Sequence, residues 1–443
     1  MTDDDTRPAI TRRQFLETTG TTTLTAVAGS MLLGRAAPAE AGRRVTAPVL
    51  GANDRIRVGL VGVKGMGGGH IKHILQGMPG ENVEIAAVCD VWEKARLSAQ
   101  AAAQLADDQV YSDYRRMLDR KDLDAVLVAT PDHWHAPISI AAMESGRDVY
   151  VEKPMTRRLD EAFRMLDVAK RTGRRVQLGT QGCTDPRNHR AREVVRSGAL
   201  GRLLWAQASY CRHNPVGEWN YAIDPELTEQ TVDWKAWLGS APKRPFSPER
   251  YFRWRKYWDY GTGVLGDLLP HRVAPLLFVM DLHEYPQTVS CVGGNLVDTD
   301  RGPGPDGQPY GERREVGDTF LITVQFPSGV MLFLASGTAN ERGVEDVVRG
   351  NKANLVLGGG KVLLEPERPW SDEIERVDEV MEEVKDVHPR HVRNFFQALR
   401  GAEKLNCVID EGVRIQTIVS MAEKSFRERR MVHFDPASRK MRT

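Results

Sequence analysis

A lysine at the end of a predicted strand has the position in this chain that is best suited to catalysis or ligand binding. Residues 149–154, with the sequence VYVEKP, form an apolar run that reaches Glu152 and Lys153 before a proline. Ligands of open parallel sheets bind beyond the carboxyl ends of the strands, so a charged side chain there can reach a cofactor and its substrate. A surface lysine fixed by a proline turn is the alternative. A glycine-rich turn upstream favours a binding site, and we expect Glu152 and Lys153 to lie beside a cofactor.

That turn is the sequence GVKGMG at residues 62–67, between an apolar strand and a helical pattern. It resembles the dinucleotide fingerprint GxGxxG, although such turns also occur without a cofactor. Lysine replaces the middle glycine, which normally lets the backbone approach the pyrophosphate. The lysine side chain must therefore bend away or offer its ammonium to a phosphate. The residues that we expect to bind the cofactor here are Gly62, Lys64, Gly65, Met66 and Gly67.

Two further strand ends carry polar residues. Asp90 follows the second strand, where a carboxylate suits a ribose 2′-hydroxyl and repels a 2′-phosphate, which favours NAD over NADP. A helix N-cap is the alternative role for Asp90. The sequence TPDHWH at 130–135 follows the next long apolar strand. We expect Thr130, Pro131 and His135 to face the cofactor, although a histidine in such a loop can equally cap or pack.

An aspartate and a histidine lie four residues apart in the sequence GDLLPH, at Asp267 and His271. If this segment is helical, both side chains lie on one face, and the carboxylate can orient the imidazole or share its acid–base work. A surface pair or half of a metal site would show the same spacing. No further ligand pattern supports a metal, and we predict none.

The residues between 219 and 260 are rich in aromatic side chains. Flat aromatic faces pack against the C–H faces of sugar rings, but aromatic residues are equally the largest contributors to a core. Both roles stay open for the set, and we expect Trp258 and Tyr260 to contact a substrate. The set is Trp219, Tyr221, Trp234, Trp237, Tyr251, Trp254, Tyr257, Trp258 and Tyr260.

Strands and helices alternate in the first part of the chain, which predicts a doubly wound parallel sheet. A helix at 160–171, ended by Gly173, closes this pattern. Hairpin signals follow, since the runs 319–326 and 330–335 flank a PSG turn. We therefore predict an α/β protein with a Rossmann domain at 55–175.

The second domain, at 176–435, is predicted to be an α+β unit with a largely antiparallel sheet that leaves one face open. A second hairpin is expected around three glycines at 358–360, and an exposed loop at 301–315. Residues 391–399 and 411–426 are predicted to form closing helices.

Composition excludes several classes of protein. The 443 residues carry a formal net charge of +1, with 41% hydrophobic and 27% charged residues, which is ordinary for a globular protein of two or three domains. The basic residues are scattered, so neither nucleic acid nor an anionic membrane is an expected partner. The five cysteines have no CxxC spacing, which argues against a disulfide framework and a zinc site.

The first 41 residues resemble a twin-arginine export signal. The sequence TRRQFL at 11–16 precedes a mild apolar run at 21–33 and then AEA at 39–41. A membrane anchor is the alternative, but the run is shorter than the roughly 20 residues that span a bilayer. We predict cleavage after this segment, folding in the cytoplasm and delivery to the periplasm.

Together these motifs resemble the glucose-fructose oxidoreductase and inositol dehydrogenase family, Gfo/Idh/MocA, over residues 55–435. The sequences DWKAWLG at 233–239 and YGTG at 260–263 resemble its exported bacterial branch. The resemblance implies a homo-oligomer. The motifs that carry it are the glycine turn, TPDH at 130–133, EKP at 152–154, GTQ at 179–181 and the Asp267-x-x-x-His271 pair.

The resemblance implies hydride transfer between NAD, or less favourably NADP, and a hydroxyl or keto group of a sugar or polyol. It implies that Lys153 and His271 are the catalytic pair and that Gln181 contacts the substrate. His271 would take the hydroxyl proton, Lys153 would stabilise the alkoxide and Asp267 would hold the imidazole. A redox-assisted glycosidase, which oxidises a sugar transiently and eliminates the aglycone, is the main alternative. A binding or scaffold protein with a degenerate site is disfavoured by the three residues together.

Overall fold

The computed structural model describes residues 55–78, 80–297, 313–358, 360–381, 384 and 386–443. The expected signal peptide at 1–41 lies outside these ranges, as does the expected loop at 301–315 except for its last three residues.

The first sheet has six parallel strands in the order β3-β2-β1-β4-β5-β6. Its central strands are buried along nearly their whole length, as expected of strands covered by helices on both faces. The doubly wound parallel sheet predicted from the sequence is therefore confirmed. The strands are β1 (Ile56–Val61), β2 (Val83–Cys89), β3 (Val110–Tyr111), β4 (Ala125–Val128), β5 (Asp148–Glu152) and β6 (Val176–Gly179).

Helices connect these strands in the right order for such a sheet. Gly173, with a φ of 66°, ends the fifth helix in the left-handed region, as predicted. The predicted boundary at residue 175 falls one strand short, because β6 still pairs with β5. The helices are α1 (Met66–Gly77), α2 (Glu93–Ala103), α3 (Tyr114–Leu118), α4 (His135–Glu144) and α5 (Leu159–Thr172).

The second sheet has ten strands in the order β14-β13-β12-β11-β7-β10-β9-β8-β15-β16. The pair β7 and β10 is parallel, and the other neighbours are antiparallel. The strands are β7 (Leu203–Cys211), β8 (Thr288–Gly294), β9 (Thr319–Gln325), β10 (Met331–Gly337), β11 (Val347–Gly350), β12 (Ala353–Val356), β13 (Lys361–Pro366), β14 (Val377–Val380), β15 (Val432–Asp435) and β16 (Lys440–Arg442).

One face of this sheet is covered by helices and the other is open. Along β9, Phe320 and Ile322 are buried while Leu321 is 45% exposed, so the alternation matches the predicted half-buried sheet. Both predicted hairpins are present as β9 with β10 and β12 with β13. The remaining helices are α6 (Pro186–Arg196), α7 (Trp234–Leu238), α8 (Pro248–Phe252), α9 (Val264–Asp267), α10 (Pro270–Val279), α11 (His388–Leu399) and α12 (Ile409–Glu428).

Residues 212–263, here called the returning segment, leave β7 and cross back to the first sheet. Glu93 N donates to Thr231 O at 2.9 Å, and Asp233 N donates to Val91 O at 3.0 Å. Farther along, the ring of Trp134 donates to the carbonyl oxygen of Trp237 at 2.8 Å. The segment thereby covers the carboxyl ends of the parallel strands, where ligands of such sheets bind.

Candidate active site

A cavity of about 1080 Å³ lies between the carboxyl edge of the first sheet and the returning segment. A space of this size accommodates a dinucleotide. Of the residues predicted to bind the cofactor, those that line it are Gly62, Lys64, Gly65, Met66, Asp90, Thr130, Pro131, His135, Glu152 and Lys153.

The glycine turn has the backbone geometry of a dinucleotide fingerprint. Gly62 has a φ of 78°, and a side chain there would meet the carbonyl oxygen of Ala129 at 2.7 Å. A side chain at Gly67 would lie 1.8 Å from the carbonyl oxygen of Gly62, so the helix packs directly on the turn. Gly65, with a φ of 54°, has open space beside it and precedes the first residue of α1. Gly67 thus allows close packing of the helix on the turn, although it does not line the cavity.

Lys64 bends away from the turn, one of the two outcomes that the sequence left open. Its ammonium lies 3.9 Å from the ring centre of Phe252 and 4.4 Å from that of Trp92. Burial lowers the pKa of Lys64, against the raising effects of Asp224 and Asp90. The lysine therefore braces the returning segment against the turn while its backbone stays at the cavity wall.

Asp90 holds the glycine turn in place. Its Oδ2 accepts a hydrogen bond from Val63 N and its Oδ1 accepts one from Trp92 N, both at 3.0 Å. Burial raises the pKa of Asp90, and these two donors act in the opposite sense. Each carboxylate oxygen has a second lone pair, so Asp90 can still accept a ribose hydroxyl from the cavity.

Two of the residues predicted to bind the cofactor, Glu152 and His135, have polar partners within the protein. Burial alone would raise the pKa of Glu152, but His70, which lies 3.0 Å from Oε1, and the charge of Lys153 bring it to about 2. The ring nitrogens of His135 lie 2.7 Å from the carbonyl oxygen of Pro154 and 2.8 Å from that of Thr130. His135 therefore ties the ends of β4 and β5 together, which is the packing role that the sequence left open.

Lys153 is fixed by a single residue at two points. Its Nζ donates to Asp267 Oδ1 at 2.7 Å and to the backbone oxygen of Asp267 at 2.8 Å. The side chains are 11% and 13% exposed, so this ion pair is largely shielded from water. An ammonium has three donors, which leaves one N–H of Lys153 for a group in the cavity.

The expectation that Asp267 holds the imidazole of His271 is wrong. Arg255 Nε donates to Asp267 Oδ1 at 2.8 Å, and Trp219 Nε1 donates to Oδ2 at 3.2 Å. Burial would raise the pKa of Asp267, but Arg255 and Lys153 hold it well below its usual range. The carboxylate is therefore occupied by two cations. In addition, Asp267 ends α9 and His271 lies in α10, so no continuous helix aligns them.

His271 lies beside this centre, outside the lining of the large cavity. Its ring packs against Tyr210 with a centre-to-centre distance of 5.6 Å, and it lines a small cavity of about 80 Å³ together with Arg272 and Asp346. Among the described residues, nothing forms a hydrogen bond to this ring. Burial and then the charge of Lys153 lower the pKa of His271 to about 3, so the imidazole is neutral near physiological pH.

The aromatic residues of the returning segment divide between cavity and core. Tyr260 is fully buried against Trp237 and His133, so it cannot contact a substrate. Trp258 packs on Phe426 and lies outside the cavity lining. The predicted contact of Tyr260 is therefore wrong because its side chain is buried, whereas that of Trp258, which is half-buried, stays a prediction that the cavity lining does not support. The aromatic residues that line the cavity are Tyr221, Trp237, Tyr251, Phe252 and Trp254.

Gln181 also lies away from the cavity lining. It begins the short turn Gln181–Thr184 after β6 and is 2% exposed. Its predicted contact with a substrate therefore stays a prediction that the geometry of the cavity does not support.

Two residues of the site were not selected from the sequence. Asp132 and Arg255 line the cavity beside Lys153. Burial raises the pKa of Asp132 to about 7, with Arg255 opposing that rise. Asp132 lies inside the TPDH motif, but no signal in the sequence shows that Arg255, far along the chain, lies across the cavity from it.

The cavity fits a nicotinamide dinucleotide. The glycine turn is a cradle that side chains would fill, and the hydroxyl of Thr130 is buried without a partner among the described residues. The N-terminus of α1 offers backbone N–H groups suited to a pyrophosphate. Asp90 is in place for a ribose at the other end of the turn.

Within the described ranges, no group of histidine, cysteine or carboxylate side chains could hold a metal ion. In the same ranges no helix is both long and apolar enough to cross a membrane. Cys89, Cys183, Cys291 and Cys407 are free and buried, and Cys211 is free and half-buried.

Two family models match the chain. The model described as the oxidoreductase family, NAD-binding Rossmann fold, covers residues 56–180. The model described as the oxidoreductase family, C-terminal alpha/beta domain, covers residues 240–434. The residues between the two matches include much of the returning segment.

Curated relatives carry the name glycosyl hydrolase family 109 protein. The protein from Shewanella pealeana is 29% identical over 290 residues, which cover 62% of this chain and 56% of the relative. The protein from Saccharopolyspora erythraea is 28% identical over 347 residues, 74% of this chain and 69% of the relative. The chain thus spans about half to two thirds of the length of these relatives.

Solved structures share the fold. Levoglucosan dehydrogenase in complex with NADH and L-sorbose has a TM-score of 0.65 at 18% identity, covering 86% of this chain and 98% of that one. The WlbA dehydrogenase from Bordetella pertussis, in complex with NADH and UDP-GlcNAcA, has a TM-score of 0.64 at 20% identity, with 86% and 99% covered. With both domains matched in order, the chain belongs to the Gfo/Idh/MocA oxidoreductase family, and its N-terminal domain is the NAD-binding Rossmann domain of that family.

Proposed function

We propose that the protein is an NAD-dependent oxidoreductase that acts on a CH–OH group of a carbohydrate. The observation that carries this proposal is the placement of Lys153. Its ammonium is fixed by Asp267 and lines the same cavity as the glycine turn, so one space holds both the cofactor cradle and a charged donor for a substrate oxygen.

The residues of the chain divide the work of alcohol oxidation. The substrate hydroxyl oxygen accepts a hydrogen bond from the third N–H of Lys153. The charge of Lys153 stabilises the alkoxide as it forms. We assign acceptance of the hydroxyl proton to His271, whose imidazole is neutral and lies near Lys153 at the neighbouring small cavity. Asp267 positions Lys153, and Arg255 holds Asp267 from the other side.

The cofactor would be held by the glycine turn at its pyrophosphate and by Asp90 at a ribose. A bound nicotinamide supplies the acceptor for the hydride that leaves the substrate carbon. Tyr251, Phe252 and Trp254 of the returning segment provide an aromatic wall of the same cavity.

A redox-assisted glycosidase is the second candidate, and the names of the curated relatives favour it. Such an enzyme begins with the same oxidation, so the assignments of Lys153 and Asp267 hold for both candidates. The ligands named for the structural neighbours, levoglucosan and L-sorbose among them, support a carbohydrate substrate in either case.

The deciding experiment incubates the purified protein with a panel of sugars, polyols and glycosides, with and without added NAD. Absorbance of NADH and the released products are followed together. Accumulation of NADH with a keto sugar supports the oxidoreductase. Release of aglycone without net NADH supports the glycosidase. If every compound is unchanged while NAD binds, the carbohydrate proposal is wrong.

We propose in addition that the chain is exported by the twin-arginine pathway to the periplasm and forms a homo-oligomer. The TRRQFL sequence at 11–16 supports export. On the open face of the second sheet, Val292 and Leu321 are 65% and 45% exposed on neighbouring strands, which supports association through that face. Light scattering of the purified protein tests the oligomer.

A further inference from the structure

The mechanism above gives no role to Asp132, whose carboxyl group lines the cavity. Asp132 follows the end of β4 and is only 4% exposed, yet it lines the cavity with Lys153 and Arg255. Among the described residues, no donor forms a hydrogen bond to its carboxyl oxygens. Burying such a group without a partner is costly, so its place in a catalytic cavity indicates a ligand group that completes it.

Asp132 lines the cavity and is covered on another side by the returning segment. A side chain at Gly261 would lie 3.1 Å from its Oδ2, so the returning segment packs directly against the carboxyl group. The charge of Arg255 lowers the pKa of Asp132, but among the described residues Arg255 forms an ion pair with Asp267 and none with Asp132. A ligand oxygen can therefore lie between Asp132 and Arg255.

The charges around Asp132 let it hold or release a proton near neutral pH. Burial is the main cause of its raised pKa of about 7, and Asp267 adds to the rise. Arg255, Lys153 and Arg157 oppose it. On its own loop, His133 is neutral because burial lowers its pKa to about 4. Both the acid and the carboxylate are thus accessible, as a group that donates and later recovers a proton requires.

We propose that Asp132 is the acid that protonates the glycosidic oxygen when the aglycone leaves, an assignment that rests on the glycosidase candidate of the proposed function. The substrate is a glycoside whose ring hydroxyl meets Lys153 and whose aglycone oxygen lies between Asp132 and Arg255. Arg255 donates to the same oxygen and so favours the charge that develops there.

The elimination balances with the groups of the site and one proton exchanged with solvent. After oxidation of the ring hydroxyl, the neighbouring C–H gives its proton to His271, which has returned its first proton to solvent. The C–H electron pair forms the C=C bond, the C–O pair leaves on the aglycone oxygen, and the proton of Asp132 goes to that oxygen. Water then adds in the reverse sense: its oxygen bonds to the sugar carbon, one of its protons goes to Asp132, and His271 returns its proton to the neighbouring carbon. The hydride removed in the oxidation would then return to the keto carbon, and its oxygen would take a proton from solvent, which restores the ring hydroxyl.

The test compares two leaving groups in the full-length protein loaded with NAD. A methyl glycoside and a p-nitrophenyl glycoside of one sugar are used, because p-nitrophenolate leaves without protonation and methoxide does not. Asp132→Asn should lower cleavage of the methyl glycoside about 100-fold or more, the scale of a lost general acid, and cleavage of the p-nitrophenyl glycoside by only a few-fold. The exposed Asp119, outside the cavity lining, provides the matched control Asp119→Asn, expected to cleave both like the wild type.

A folding defect is separated by NAD titration of each variant and by a rescue experiment. In Asp132→Ala, added formate should restore cleavage of the methyl glycoside, which a merely structural aspartate would not allow. An equal loss on both glycosides, or a loss on neither, overturns the role of Asp132 while the glycosidase candidate stands. A wild-type protein that oxidises the free sugar but cleaves neither glycoside overturns the glycosidase candidate and this role with it.

Discussion

Lys153 Nζ lies 2.7 Å from Asp267 Oδ1 and 2.8 Å from the backbone oxygen of the same residue. Two bonds to one residue leave the ammonium little freedom, so its third N–H points in a fixed direction. Arg255 binds the same carboxylate oxygen at 2.8 Å and compensates for the negative charge. A buried carboxylate between two cations is costly to disturb, because removing its charge leaves the cations unpaired.

The first prediction follows from this arrangement. Asp267→Asn should lower turnover of the true substrate roughly 100-fold, since the ammonium of Lys153 loses its anchor, while NAD affinity stays within a few-fold. Steady-state kinetics and NAD titration measure the two effects. Loss of NAD binding by a factor comparable to the loss of turnover would show that Asp267 supports the cofactor pocket instead.

The second prediction concerns His271. His271→Ala should lower turnover about 100-fold, the scale of a lost general base, with NAD affinity unchanged because the ring lies outside the large cavity. Since burial keeps the pKa of His271 near 3, the wild-type rate should show no fall from its protonation between pH 5 and 8. Near-normal turnover of the variant would remove His271 from the mechanism.

The third prediction tests Asp90. The protein should bind NAD more tightly than NADP, because the carboxylate is fixed by Val63 N and Trp92 N and would repel a 2′-phosphate. Asp90→Asn should reduce that preference about tenfold or more. Fluorescence titration with both cofactors decides it. Tighter binding of NADP by the wild type would mean that Asp90 does not face the ribose.

The sequence predicted those parts of the site in which local geometry follows from residue type. The glycines at 62 and 67 are dictated by close backbone contacts, and Lys153 follows a strand whose apolar run is unambiguous. These features are read along the chain, so periodicity and turn chemistry suffice to find them.

The sequence failed where partners are distant in the chain. The spacing of Asp267 and His271 predicted a contact, but α9 ends at Asp267 and the carboxylate pairs with Arg255 and Lys153. Two further residues show the same limit: Tyr260 was predicted to contact a substrate, and Asp132 was not selected for the site. The packing of the returning segment buries the tyrosine and leaves the aspartate at the cavity, and no local pattern encodes that packing.

The fourth prediction concerns export. Replacing Arg12 and Arg13 with lysine should hold the full-length precursor in the cytoplasm, because the twin-arginine pathway reads that pair. Fractionation of cells that produce the precursor, followed by immunoblotting, measures it. Unchanged delivery to the periplasm would show that residues 1–41 are not such a signal.

The fifth prediction uses the pH dependence of stability to test Asp132. Burial raises the pKa of Asp132 in the folded protein from 3.8 to about 7, so the folded state binds this proton more tightly than the unfolded chain. The stability linked to that proton is complete below pH 3.8 and is lost as the pH rises through 7. Arg255, Lys153 and Arg157 face the group and limit the loss, and Asp267 increases it.

The asparagine of Asp132→Asn cannot ionise. The free energy of unfolding of this variant, minus that of the wild type, should therefore increase by roughly 2–3 kcal/mol from pH 5 to pH 8. Urea unfolding of the NAD-free proteins at both pH values measures this difference, and all other titrating groups are common to the two proteins. Asp119→Asn serves as the control, because Asp119 is exposed and should show no such change. A difference between Asp132→Asn and the wild type that is the same at both pH values would show that Asp132 ionises normally, and its assignment as an acid near neutral pH would fall.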